Sequence, residues 1–191
     1  MPQPNSTFLE EARDAARGTW ALVLGRHNAA QYFDFSLRGL VGSFISLVLS
    51  VGITVFGPQM LGVPSPQGVA GSMALLSGLL LAMQIGAAYI VLQLMGRVDG
   101  FLPYLVADNW VNAYVSLLGA ISVILMGGSE AMLLVMAVLA IVVEVNIARR
   151  IVTLAPMQIA IFIIAQISAN FIGLLILGGL ILQAAGPLPP V

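Results

Sequence analysis

The chain has 191 residues, of which 60% are hydrophobic and only 8% charged, with a net charge of −1 and a mean hydropathy of +1.04. Soluble domains carry about 25% charged residues, so these side chains cannot clothe a water-facing surface. No basic patch is present to serve as a nucleic-acid surface, and the absence of cysteine excludes disulfides, thiolate catalysis and cysteine metal sites.

Met1 to Asn5, with two prolines, reads as a disordered start. The first ~36 residues mix both charge signs and hold no continuous apolar stretch before a small-residue cleavage site, so no cleavable signal peptide is expected. Thr7 and Glu10 have capping-box spacing, and Glu11 adds a second anion to the first turn of a helix. Phe8, Ala12, Ala16, Trp20 and Val23 recur on one stripe, while Glu10, Arg13, Asp14 and Arg17 take other faces. This amphipathic helix stops near Gly25, is too charged to cross a bilayer, and is expected to lie in the membrane interface. Arg26 to Ser36 forms a connector in which Tyr32, Phe33 and Phe35 stand where an aromatic belt belongs. The single histidine, His27, has no second ligand at metal-binding spacing and reads as a solvated interfacial group.

A crossing needs ~20 mostly apolar residues. Five stretches meet that need, at about 37–56, 69–95, 102–126, 131–148 and 153–183. Between them lie an uncharged Pro- and Gly-rich loop (57–68), a polar turn with Arg97 and Asp99, the turn Gly127-Gly128-Ser129-Glu130, and the pair Arg149-Arg150. The expected architecture is an all-α polytopic membrane bundle. A cytoplasmic segment (1–36) with the amphipathic helix precedes a five-helix transmembrane domain (37–185), and a short external tail (186–191) follows.

All seven basic residues are arginine. Arg13, Arg17, Arg26 and Arg38 precede or open the first span, Arg97 follows the second, and Arg149 and Arg150 follow the fourth. The alternate segments carry none. The positive-inside rule then places the N-terminus in the cytoplasm and the C-terminus outside. Turns of about four residues between spans three, four and five predict antiparallel neighbours and a compact unit from those three. The longer 57–68 loop leaves the first span free to pack elsewhere.

Helices in lipid associate through close packing and hydrogen bonds. Small residues spaced four apart mark three candidate ridges: Gly42, Ser46 and Ser50; Gly78, Ala82 and Gly86; Ala165, Ala169 and Gly173. Gln84, Gln93, Ser116, Ser122, Asn146, Gln166, Ser168 and Asn170 are polar groups within spans, expected to bond between helices. Gln166 and Asn170 share a face and are the best candidates for a mid-membrane polar contact. Glu144 is the one carboxylate well inside a predicted span, ~6–8 Å from its arginine end at 1.5 Å per residue. Such a residue is a functional candidate. The structural alternative is an ion pair with Arg97 or Arg149, either of which can snorkel towards it. Asp108, Asn109, Trp110 and Asn112 form the densest polar-aromatic cluster near a span. They read either as a cytoplasmic-face binding surface or as a hydrated interfacial anchor.

Motifs for phosphate binding, GxSxG or HExxH chemistry are absent, and no enzyme activity, cofactor or metal is expected. The layout resembles the Yip1 family, with a cytoplasmic N-terminal segment, an interfacial aromatic stretch, five spans, short connections in the second half and an external C-terminus. The stretch Phe101-Leu102-Pro103-Tyr104-Leu105-Val106-Ala107-Asp108-Asn109-Trp110 carries the likeness further, over a region of roughly Trp20 to Gln183. The Asp-Leu-Tyr-Gly-Pro signature of eukaryotic members is missing. The resemblance implies a non-enzymatic bacterial inner-membrane protein with a periplasmic C-terminus. It would act as scaffold or accessory subunit, with the bilayer, a second copy or another membrane protein as partner. The alternative is a small transporter or channel component. A scaffold predicts a dry bundle with an exposed small-residue ridge, a transporter a cavity at mid-depth.

Overall fold

A computed structural model describes residues 7–60, 62, 68–126 and 129–184. The start at 1–5, most of the 57–68 loop's second half, Gly127-Gly128 and the 186–191 tail lie outside the described residues. Every longer described element is an α-helix: α1 (Phe8–Val23), α2 (Leu37–Met60), α3 (Val69–Leu94), α4 (Phe101–Met126), α5 (Glu130–Arg150) and α6 (Pro156–Ala184).

Thr7 caps α1 as its sequence requires: its backbone N–H donates to Glu10 Oε2 at 2.7 Å, and its hydroxyl accepts from the Glu10 N–H at 3.4 Å. Gly25 ends the helix at φ +63°. That left-handed turn lets the Gly25 and Arg26 N–H groups close on the Leu22 and Ala21 carbonyls. The face that α1 buries differs from the expected stripe. Glu11, Ala15, Gly18, Thr19 and Leu22 are buried against the bundle, while Ala16 and Trp20, the latter 61% exposed, point outward. Small residues let α1 sit close: a Cβ on Gly18 would lie 2.6 Å from the Phe33 ring.

Four helices are long and apolar enough to cross a membrane: α2, α3, α5 and Pro156–Gly179 of α6. At 26 residues α4 is as long as α3, but polar residues crowd its first half. The helix ends fall within four residues of expectation. The largest departure is α2, which runs through Gly57-Pro58 to Met60 instead of stopping at Phe56. Pro58 forfeits one backbone bond, yet unwinding near hydrocarbon forfeits more.

Packing order departs from the expected α4–α5–α6 unit. The most extensive contact is α2 on α4, followed by α3 on α6, whereas α4–α5 and α5–α6 contacts are smaller. Side-chain size explains this. Ser43 and Ser50 are small and buried on α2, and Ser43 meets Asn109 of α4 at 3.1 Å, while Gly42 leaves room on the same helix for Glu11 of α1. On α6, a Cβ at Gly173 would approach Leu80 of α3 to 2.7 Å, so that helix pair meets at van der Waals limit.

The arginine-bearing segments gather at one end. Arg97 donates to the Thr153 carbonyl at 3.0 Å, the Val152 carbonyl at 2.6 Å and Thr153 Oγ1 at 2.9 Å, tying the α3–α4 turn to the α5–α6 turn. Thr153 itself has φ +58°, unfavourable for a β-branched residue. Arg150 donates to His27 Nδ1 at 2.6 Å, and the histidine is exposed, as expected of a solvated group, with this one protein contact added. Asn146 Nδ2 donates to the Leu22 carbonyl at 2.8 Å and fastens α5 to the last turn of α1.

Candidate functional site: a polar chamber inside the bundle

The start of α4 is its most buried segment, with Tyr104 to Val111 all enclosed. Asp108 is 3% exposed and Asn109 not at all. Of the cluster expected either as a binding surface or as a hydrated interfacial anchor, Asp108, Asn109 and Trp110 are buried within the protein and Asn112 is half-buried. The two sides of α4 do different things. On one, Asn109 Nδ2 donates to Ser43 Oγ of α2 at 3.1 Å. Trp110 stacks on Tyr114 at 5.9 Å and meets Phe8 of α1 at 5.8 Å, and Tyr114 donates to the Ala12 carbonyl. Glu11 lies beside the Trp110 indole and fills the space that a Cβ on Gly42 would take, 2.6 Å from Oε1.

The other side of α4 carries Tyr104, Asp108 and Asn112, spaced four apart and hence on one stripe. Tyr104 Oη donates to Glu144 Oε1 of α5 at 3.0 Å and accepts from Gln166 Nε2 of α6 at 3.1 Å. Its ring is fixed edge-on against the buried Phe162 at 5.1 Å. Asp108 and Asn112 line the same cavity as Glu144. Asn170 Nδ2 turns back to the Gln166 carbonyl at 3.1 Å. Asp108, Asn112, Glu144, Gln166 and Asn170, with Gln84 of α3, line this cavity, of about 310 Å³, among α3, α4, α5 and α6. A second, largely apolar cavity of about 480 Å³ among α2, α3 and α4 shares Gln84 and Asn112 with it.

One acceptor in this chamber is unused. Gln166 is only 4% exposed, and its Oε1 has no hydrogen-bond partner. Two carboxyl-bearing side chains and a carboxamide whose oxygen is buried without a partner thus line one cavity, an acceptor-rich set suited to a proton, a small cation or another donor. No group of three or more His, Asp or Glu that could hold a metal ion occurs among the described residues.

The expected Glu144–arginine pair does not form. Arg97 is taken up by the Val152 and Thr153 backbone, and Arg149 is exposed. Glu144 instead turns inward to Tyr104. Asp108, Asn112, Glu144, Gln166 and Asn170 are brought together, and Asn109 is directed away towards α2. Tyr104 was missed as a site residue, although its four-residue spacing from Asp108 and Asn112 was a usable signal. The ridges divide. Gly42 and Gly173 make close contacts and Ser50 is buried, while Ser46 and Ala169 are half-buried. Gly78 and Ala82 are exposed, Gly86 is half-buried, and a Cβ on either glycine would meet nothing within 4 Å. Compared with protein-family models, curated proteins and solved structures, the chain matches none.

Proposed function

We propose that this is a non-enzymatic, five-span inner-membrane protein of Yip1-like layout that binds a proton or small cation in the chamber, as a small transporter or channel component. The carrying observation is that Asp108 and Glu144 line one cavity together with Gln166, whose buried carboxamide oxygen has no partner. A carboxylate at bilayer depth costs about 2.5 kcal/mol or more, and a purely structural bundle gains nothing from two of them. α4 is the fifth crossing, its polar face covered by α5 and α6. α1 lies at the cytoplasmic interface with Trp20 outward, and the C-terminus is periplasmic. The clustering of Arg97, Arg150 and His27 at one end supports that orientation.

The test is flux in proteoliposomes under an imposed potential, read with an entrapped pH dye and with isotopic sodium, potassium and methylammonium. One of these should cross faster through the wild type than through Asp108→Asn or Glu144→Gln. Liposomes as tight as protein-free ones to all four would refute the proposal. A scaffold role is the second reading, favoured by the open Gly78–Ala82 face of α3, where a second copy or another membrane helix can approach. Cross-linking through that face, with no flux, would favour it.

A further inference from the structure

The outward face of α1 carries a basic, aromatic hollow that the chamber does not involve. Arg13, Arg17, Trp20, Arg26 and Tyr32 line a cavity of about 550 Å³ between α1 and the following 3-10 turn at Ala29–Tyr32. Of the three guanidinium groups only Arg17 has a described acid partner, Asp14 at 3.0 Å, and both members of that pair are substantially exposed. Arg13 and Arg26 have none among the described residues. The fold therefore sets three cations around one concavity with a single acid beside them. The tryptophan at its edge is 61% exposed, which a water-soluble surface would disfavour and a headgroup layer favours.

We infer that this hollow binds the phosphodiester headgroup of one anionic phospholipid. Guanidinium forks match phosphate oxygens in pairs, and Arg is the residue suited to such recognition. Trp20 and Tyr32 contribute apolar bodies with polar tips, suited to the glycerol and upper acyl region of the same lipid. The bound lipid pins α1 to the inner leaflet and neutralises charges that the fold brings close together. The flanking bilayer is the source of the ligand: Trp20 opens the hollow towards lipid, and free phosphate offers nothing to its indole.

The full-length protein in a neutral detergent is titrated with short-chain phosphatidylglycerol, short-chain phosphatidylcholine and inorganic phosphate at matched ionic strength. Melting is followed by intrinsic tryptophan fluorescence. Phosphatidylglycerol should raise the melting temperature saturably, and phosphatidylcholine and phosphate should not. Arg13→Gln with Arg26→Gln should weaken the apparent affinity at least tenfold while leaving lipid-free melting unchanged, since both side chains are exposed. Trp20→Ala should weaken it several-fold. Equal stabilisation by phosphatidylcholine, equal stabilisation by inorganic phosphate, or full retention of the effect in the double variant would each overturn the inference.

Discussion

Thr153 and Arg97 allow a quantitative test of how the bundle is closed at its arginine end. A β-branched residue at φ +58° is strained by ~1–2 kcal/mol, and the Arg97 guanidinium engages the carbonyls on both sides of that turn. Its three bonds are charge-assisted and its side chain is 27% exposed. Full burial would make each worth ~1.5–3 kcal/mol; with solvent access, about 1 kcal/mol each is the appropriate scale. Arg97→Ala should then destabilise by ~2–3 kcal/mol, about 5–10 °C in a chain of this size. Arg97→Lys should recover less than half, because an ammonium cannot span three acceptors in a fixed fork. Thr153→Gly relieves that strain but also deletes the Oγ1 acceptor of one Arg97 bond, so by itself it should change stability by less than ~1 kcal/mol. Where Arg97 is already Ala no such bond remains to be lost, and Thr153→Gly should stabilise by ~1 kcal/mol. Tryptophan-fluorescence melting of all four proteins in one detergent completes the double-mutant cycle. An Arg97→Ala shift below 1 °C, or strictly additive effects, would refute the clamp.

Burial, together with the charge of Asp34, pushes the Glu11 carboxyl above the usual carboxylate range, and Arg38 only partly opposes this. A raised folded pKa means that the folded state holds the extra proton. Stability should therefore increase as pH falls from 7 towards the carboxylate range and decline as pH rises through the folded pKa. Glu11→Gln should flatten that dependence and raise the melting temperature at pH 7.5; an unchanged pH profile would contradict the assignment. Gly173→Leu should cost ~1–3 kcal/mol by overpacking against Leu80 and Met83, whereas Gly78→Leu should be neutral in the monomer, and equal melting of the two would show the α3–α6 contact to be slack. Tyr104→Phe strips Glu144 and Gln166 of a partner and should cost ~1–3 kcal/mol, read by the same melting assay. For topology, the cysteine-free chain permits single-site labelling. His27→Cys and Asp99→Cys should react from the cytoplasmic side only, and Ser129→Cys from the opposite side.

Helix ends were legible because apolar runs here are broken by residues with one local meaning: Thr7 as a cap, Gly25 as a left-handed stop, Pro156 as a first-turn residue. Lateral packing was not. A helix that is apolar all round gives no periodic hint of which face meets which neighbour, so the α2–α4 and α3–α6 pairings were invisible. Asp108 and Asn109 illustrate the limit. Adjacent in sequence and alike in polarity, they point to opposite sides of α4, one into the chamber and one to Ser43. Glu144 was singled out correctly as unusual, but the obvious cation was not its partner. Arg97 had a better use in the turn it closes, and Tyr104, an uncharged residue on another helix, was near enough to serve.

α4 is gripped from two sides within three turns, by α1 through Trp110 and Tyr114 and by the chamber through Tyr104 and Asp108. A rod held this way cannot roll for one tenant without disturbing the other. If the chamber binds a cation as proposed, thermodynamic reciprocity demands that whatever shifts the N-terminal helix should alter that affinity, and that filling the chamber should change the grip on the helix by the same factor.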